Sequence, residues 1–171
     1  DLAVLFLHAL NPHGFSWLRR VNEDNVDLNR NFLDFTQPLP DNPDYRALVH
    51  LLLPKRQPPT LSSTLGLIGY ALRNGRMALQ SGISRGQHSD PRGLFFAGTA
   101  PVWSNLTLRR ILQQHGQHCQ RIGWIDVHTG LGPTGVGEYI YKGRQEPEDI
   151  ARGRSWWGEK MTNSTEGNSV S

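Results

Sequence analysis

Two almost continuously apolar runs stand out in the pattern of hydrophobic and polar positions along the chain. Residues 2–7 have the sequence LAVLFL, and residues 122–127 have the sequence IGWIDV. Short runs of this kind are typical of strands that are covered on both faces of a sheet. The pattern therefore predicts a buried strand over each run, and a shorter third strand is predicted over residues 138–141.

Helical periodicity marks the segments that separate and follow these runs. Gly69 and Gly75 interrupt the longest segment, at a cost of about 1 kcal/mol each relative to alanine, and they predict a kink or a close contact. Ser104 is predicted to be the N-cap of the next helix. Strands that alternate with helices predict an α/β fold with a largely parallel sheet, formed as a single domain over residues 1–171. The predicted helices cover residues 44–53, 62–85, 104–114 and 148–157.

Polar sequence follows both of the longer predicted strands. After the first strand come turn-forming residues at 11–14 and a mostly polar segment over residues 19–34, which is typical of a loop that lines a site. After the second strand comes His128. Because ligands bind at the carboxyl ends of parallel strands, these two places are the best candidates for a functional site.

Asn29 and Arg30 are candidates for binding an anionic part of a substrate. The guanidinium group of arginine is a rigid fork of donors that matches a carboxylate, and an adjacent asparagine amide can add a further donor. The alternative is a solvated loop in which Asp27 and Arg30 only pair with each other, which is the commoner situation for charged loops.

His128 is a candidate metal ligand, because it lies where a predicted strand gives way to a glycine-rich loop. Asp126 would share a strand face with it and could orient it or another polar group. The alternative is a histidine with a structural hydrogen bond. A rival cluster of His115, His118 and Cys119 lies at a predicted helix end, which suits histidine electrostatically, and it is predicted not to bind metal because no fourth ligand is near.

Composition and charge exclude several classes of partner. The chain has 171 residues, of which 37% are hydrophobic and 19% are charged, with a net charge of +3. These are ordinary values for a globular domain. The arginines are scattered rather than arranged in a basic stripe, and no apolar run approaches the roughly 18 residues of a membrane span, so neither nucleic acid nor membrane is a predicted partner. The single cysteine, Cys119, favours a reducing, cytoplasmic compartment.

The sequence NPHGF at residues 11–15 and the sequence DLNRNF at residues 27–32 resemble the zinc carboxypeptidase (carboxypeptidase A-like) superfamily. There, an Asn-Pro-Asp-Gly turn precedes an Asp-x-Asn-Arg-Asn-aromatic segment, and only the Asp of the turn is replaced here, by His13. The resemblance implies a three-layer fold, in which a mixed, largely parallel sheet is flanked by helices, and it implies zinc as the cofactor. It also implies that Asn29 and Arg30 bind the carboxylate of the substrate.

The same resemblance implies two further roles. An upstream arginine of the family stabilises the oxyanion that develops during catalysis, and Arg20 or Arg19 matches it, with Arg20 preferred as the catalytic residue. The third zinc ligand of the family is a histidine at a strand end, which His128 matches. The sequence DVHT at residues 126–129 is also similar to a strand of the related aspartoacylase and succinylglutamate desuccinylase branch.

The likeness that covers nearly the whole chain is to a bacterial branch catalogued as a domain of unknown function, which residues 18–32 and 128–133 resemble. Two features of the superfamily have no match. Its first two zinc ligands come from a His-x-x-Glu motif, which the chain lacks, and its general-base glutamate lies on a late strand. The chain is therefore expected to be an interior fragment of a catalytic domain, inactive by itself.

The expected function of the full-length protein is that of a zinc-dependent hydrolase that cleaves an amide bond adjacent to a carboxylate. The expected substrate is a small peptide or an N-acyl amino acid with a free carboxylate. The alternatives are a small-molecule N-deacylase of the aspartoacylase type and a non-catalytic binding module.

Overall fold

A computed structural model gives the fold of the chain. Its contacts divide the chain into two compact units, Asp1–Ile122 and Gly123–Ser171. The prediction that residues 1–171 form a single domain stays a prediction. The residues that the structure describes are 2–54, 59–128 and 133–163.

The first unit is built mainly of helices. These are α1 (Pro12–Trp17), α2 (Leu28–Asn31), α3 (Pro43–Leu52), α4 (Leu61–Asn74), α5 (Arg76–Ser84) and α6 (Trp103–Gly116). Helix α3 packs against both α4 and α5, and α2 contacts α6. The helix predicted over residues 44–53 is confirmed as α3. The one predicted over residues 62–85 is confirmed with a break at Gly75, whose φ of 90° is a conformation that glycine adopts at little cost.

The turn predicted at residues 11–14 is in fact the beginning of helix α1. The side chain of Asn11 caps this helix, because its Oδ1 accepts a hydrogen bond of 2.9 Å from the backbone amide of Gly14. Pro12 occupies the first helical position, where its missing N–H costs nothing. The prediction of a turn was therefore wrong. The reason is that an Asn-Pro pair is as favourable at the start of a helix as it is in a turn.

The beginning of helix α6 is set by a tertiary contact. Val102 is its N-cap and donates its backbone N–H to Asn31 Oδ1 at 3.0 Å. Ser104, the predicted N-cap, is buried inside the first turn, so that prediction was wrong in detail. The existence of the helix is confirmed.

A small apolar core lies beneath these helices and the loop that follows α5. The side chain of Tyr45 is fully buried in it, and the Tyr45 hydroxyl occupies the space that a Cβ atom on Gly93 would need. Burial raises the pKa of Tyr45, and the adjacent backbone of Leu94 opposes that rise. The hydroxyl reaches no hydrogen-bond partner among the described residues. The buried hydrophobic residues of this unit are Val26, Tyr45, Leu48, Phe96, Ala97 and Leu108.

The two longer predicted strands are not formed. Residues 2–7 and 122–127 carry no strand assignment, and their large apolar side chains are exposed. A strand requires a neighbouring strand that exchanges backbone hydrogen bonds with it, and an apolar run does not specify that neighbour. Both strand predictions were therefore wrong for the chain as the structure describes it.

The second unit contains β1 (Ile140–Tyr141), α7 (Pro147–Trp157) and β2 (Thr162–Asn163). The two strands pair in parallel, with Ile140 opposite Thr162 and Tyr141 opposite Asn163. The strand predicted over residues 138–141 and the helix predicted over residues 148–157 are confirmed. Strand β2 lies at the beginning of a polar stretch for which no element was predicted.

The described parts of the chain thus form a mixed, helix-rich structure with a small two-stranded parallel sheet, which is compatible with the predicted α/β class. The three-layer arrangement stays a prediction. Within the described ranges, no helix combines the length and the apolar character that crossing a membrane requires.

Candidate functional site

Asp27 is the centre of the candidate site in the first unit. It is the N-cap of helix α2, and its Oδ1 accepts a hydrogen bond of 3.1 Å from the backbone N–H of Asn29. Its own backbone N–H donates to the carbonyl of Phe96 at 2.8 Å, which ties the start of α2 to the loop after α5. The Asp27 side chain is only 2% exposed. A buried carboxylate of this kind needs strong donors around it.

Two arginines supply those donors. Arg20 Nε donates to Asp27 Oδ2 at 3.0 Å, and Arg30 Nη1 donates to the same oxygen at 2.9 Å. Arg20 is 53% exposed, whereas Arg30 is 22% exposed. Two guanidinium groups against one carboxylate leave a single net positive charge, part of it close to solvent. We refer to Arg20, Asp27 and Arg30, together with Phe95, whose ring lies against both arginines, as the arginine cluster.

Arg30 is also bound to the end of helix α5. Its Nε and Nη2 both donate to the carbonyl of Ser84, the last residue of that helix, with the Nε bond at 3.0 Å. The final carbonyls of a helix lack partners within the helix, so this arginine satisfies one of them. A Cβ atom on Gly86 would lie 2.9 Å from Arg30 Cγ, so the glycine makes room for the arginine stem. All three nitrogens of Arg30 therefore have protein partners.

The ring of Phe95 lies against both guanidinium groups. Its centroid is 5.2 Å from the Cζ atom of Arg20 and 4.9 Å from that of Arg30, within the range of cation–π interaction. Phe95 has a φ of 51°, which is unusual for a bulky residue. The structure thus shows an aromatic support for the arginines that the sequence interpretation did not include.

Arg20 and Asn29 have side-chain hydrogen-bond donors that are still available to a ligand. Among the described residues, the Nη atoms of Arg20 and the side-chain amide of Asn29 have no hydrogen-bond partner, and both residues are exposed. Arg30, in contrast, has the pairing with Asp27 that the alternative interpretation of the loop predicted. The open donor edge of the cluster is therefore mainly that of Arg20.

The other asparagines of the segment have structural roles. Asn31 is fully buried, and its Nδ2 donates to the carbonyls of Ala97 and Ala100 at 2.8 and 2.9 Å. Asn25 Nδ2 donates to the carbonyls of Pro91 and Gly93 at 2.8 and 3.0 Å. The polar character of residues 19–34 thus comes partly from side chains that hold the neighbouring loop, and not only from side chains that could meet a ligand.

His128 and Asp126 lie in the second unit and contact each other. His128 Nε2 is 2.8 Å from Asp126 Oδ2, and both side chains are more than half exposed. The two side chains are therefore in contact, and their roles toward a metal stay a prediction. Thr129 and the glycines that follow in the predicted motif lie outside the described residues.

The residues in the described ranges do not fit a complete zinc site. No group of three or more His, Cys, Asp or Glu side chains in these ranges is arranged to hold a metal ion. In the rival cluster, the only contact is from Cys119 Sγ to the backbone carbonyl of His115, at 3.3 Å. Catalytic zinc needs three protein ligands, so a zinc site would need ligands beyond His128.

The structure brings together some of the predicted site residues. Arg20, Asn29 and Arg30 lie within one cluster around Asp27, whereas His128 belongs to the other unit, so their meeting at one sheet edge stays a prediction. Sequence interpretation missed Phe95 and Ser84. The GLFFAG run offered a weak signal for Phe95, and no local signal exists for a carbonyl 54 residues away from Arg30.

The fold and the site together define a helix-rich protein of mixed α and β structure, in which two arginines bind one buried aspartate. The chain belongs to the family described as "Protein of unknown function (DUF2817)", which matches residues 1–171. No curated protein and no solved structure matches the chain.

Proposed function

We propose that the protein is, as a whole, a zinc-dependent, metallocarboxypeptidase-like hydrolase that cleaves amide bonds adjacent to a carboxylate. In this proposal the complete catalytic domain has the three-layer arrangement of that superfamily and works in the cytoplasm. Its substrate is a small peptide or an N-acyl amino acid. The part played by this chain is to receive the negatively charged end of that substrate.

The observation that carries the proposal is that two residues bound to Asp27 keep free donors: Arg20, which binds it through Nε, has a free Nη edge, and Asn29, which binds it through its backbone N–H, has an unpartnered side-chain amide. A carboxylate is a planar acceptor that one guanidinium edge can bind through two parallel hydrogen bonds. Asp27 balances one of the two positive charges, so the net charge of the cluster matches one carboxylate. In this proposal Arg20, to which the resemblance assigns the oxyanion, binds the substrate carboxylate instead. Arg30 contributes less directly than the resemblance implies, because its nitrogens already bind Asp27 and Ser84.

Carboxylate recognition can be tested separately from hydrolysis. The chain is titrated with N-acetylglycine, and with N-acetylglycinamide as an uncharged probe of the same shape, while binding is followed by calorimetry. We expect binding of the charged probe only. Arg20→Gln should weaken it by roughly 10- to 100-fold, the effect of losing a charge-assisted pair of about 1.5–3 kcal/mol. Asn29→Ala should have a smaller effect.

Arg19→Gln is the matched control, because Arg19 is exposed and its side chain has no partner within the described residues. It should bind N-acetylglycine like the wild type. Equal losses for Arg19→Gln and Arg20→Gln, or equal binding of the two probes, would show that the cluster is not a carboxylate site.

A second candidate function is small-molecule N-deacylation of the aspartoacylase type. The contact between Asp126 and His128 favours it, because the Asp-x-His sequence is the element that resembles that branch. Hydrolysis of an N-acetylated amino acid and of an N-acetylated dipeptide, compared at equal zinc concentration with the full-length protein, separates the two candidates. Preference for the single amino acid would support the deacylase.

A further inference from the structure

Hydrogen bonding alone does not fix the orientation of the Arg20 side chain in the arginine cluster. The only hydrogen bond of this side chain among the described residues runs from Nε to Asp27 Oδ2, and more than half of the side chain is exposed. Arginine has many rotamers, and a single bond to one oxygen leaves much of that freedom in place. A second contact is needed to give its free Nη edge a fixed direction.

Phe95 is in a position to supply that contact, since its ring lies within 5.2 Å of the guanidinium carbon. The backbone at Phe95 and at the residue that follows it is held by hydrogen bonds. Gln87 N–H donates to the Phe95 carbonyl at 3.1 Å, and Asp27 N–H donates to the Phe96 carbonyl at 2.8 Å. These bonds keep Phe95 at a positive φ, a conformation that persists in a bulky residue only where the surroundings enforce it.

We propose that Phe95 is the positioning residue of the candidate site: its ring and Asp27 together fix the guanidinium of Arg20, so that the Nη edge faces the ligand. This inference rests on the proposed function for the identity of the ligand, but not for the ordering of the arginine. Arg30 needs the ring less, because Asp27 and Ser84 already engage all of its nitrogens. The role of Phe95 is therefore specific to Arg20.

The first test needs no ligand. The Nε–H resonances of Arg20 and Arg30 are followed by NMR in the wild type, in Phe95→Leu and in Phe95→Tyr. In the wild type, and in Phe95→Tyr, the Arg20 resonance should be shifted by the ring current and protected from exchange with water. In Phe95→Leu that protection should be lost for Arg20 and retained for Arg30. An Arg20 resonance that is the same in Phe95→Leu as in the wild type would overturn the proposal.

Two further variants exclude unfolding as the cause. Phe95→Gly removes the ring but suits the positive φ, so it should keep the fold while Arg20 loses its order. Phe15→Leu is the control for removing an aromatic ring, because Phe15 is exposed and contacts the ring of His8. It should leave both arginine resonances unchanged. Retained Arg20 order in Phe95→Gly would contradict the proposal as directly as retained order in Phe95→Leu.

Binding of N-acetylglycine gives the second readout. Phe95→Leu should weaken it by roughly 2- to 5-fold, the size of an exposed cation–π contact, and Phe95→Tyr should restore it. If the wild type does not bind the probe but Arg20 still loses its order in Phe95→Leu, the carboxylate function is refuted and the positioning role is supported. If the probe binds and Phe95→Leu changes neither affinity nor order, the positioning role is refuted and the carboxylate function stands.

Discussion

Replacing Asp27 with asparagine changes one oxygen of a buried side chain and should destabilise the first unit strongly. Asparagine can keep the cap of helix α2, because its Oδ1 can still accept the hydrogen bond from Asn29 N–H. The other atom becomes an amide nitrogen, which is a donor. It would face Arg20 Nε and Arg30 Nη1, which are donors as well. Both guanidinium groups then lose their shared acceptor.

The magnitude follows from the exposure of each partner. Removing one partner of a buried ion pair costs about 3–5 kcal/mol. Arg30 is 22% exposed and keeps its bonds to Ser84, so water and protein compensate part of that cost. Arg20 is mostly exposed and adds at most about 1 kcal/mol. We expect Asp27→Asn to lower the free energy of unfolding by about 2–4 kcal/mol, a large share of the 5–15 kcal/mol typical of a domain.

Urea unfolding followed by far-ultraviolet circular dichroism measures this change, because the helices of the first unit dominate the signal. With a slope of about 2 kcal/mol per molar urea, the midpoint should fall by about 1–2 M. Asp24→Asn is the matched control, since Asp24 is exposed and its carboxylate has no partner in the described residues. A change below about 0.5 kcal/mol for Asp27→Asn, the size expected of the control, would show that the cluster is not a stabilising unit.

Further predictions concern other parts of the chain. Gly75→Ala should destabilise by about 1–3 kcal/mol in urea unfolding through the backbone alone, because φ is 90° and the new Cβ meets nothing within 4 Å. Asn31→Ala should cost about 2–4 kcal/mol in the same assay, since it leaves two loop carbonyls without their donor. The hydrogen bond to Asp44 raises the pKa of Tyr70, so this contact stabilises the fold at lower pH and is lost as the pH rises through that raised pKa. In Asp44→Ala the pKa of Tyr70, followed by the absorbance of the phenolate, should therefore be lower than in the wild type. The chain should not retain stoichiometric zinc through dialysis, and His128→Ala should not change its zinc content, as measured by elemental analysis.

The longer helices could be predicted from the sequence because helical periodicity is a local signal, whereas the short helices α1 and α2 lie where a turn and a loop were predicted. Helix α3 and the break at Gly75 are both encoded within a few residues of where they occur. The runs at residues 2–7 and 122–127 could not be assigned in the same way, since a strand depends on a partner distant in sequence. The start of α6 was misplaced for a related reason, because the decisive acceptor is Asn31, far from it along the chain.

The candidate site was predictable in its residues but not in its arrangement. The motif singled out Asn29, Arg30 and Arg20, and all three lie around Asp27. Which arginine is free depends on the Ser84 carbonyl, a backbone atom that carries no side-chain signature. Sequence patterns identify the donors, whereas non-local backbone contacts decide which donors remain available.

The packing of Tyr45 against Gly93 has a consequence for how related sequences can vary. The hydroxyl fills the place of the missing Cβ atom, so any larger residue at position 93 collides with it. Because the hydroxyl has no hydrogen-bond partner among the described residues, Tyr45→Phe gives up no bond there and removes the atom nearest to a Cβ at position 93. Gln87 Nε2, at 2.9 Å, and the ring carbon Cζ, at 3.1 Å, remain close to that Cβ. Position 93 should therefore stay glycine across the family wherever position 45 is tyrosine, and alanine at 93 should require both phenylalanine at 45 and a displaced or shorter side chain at 87.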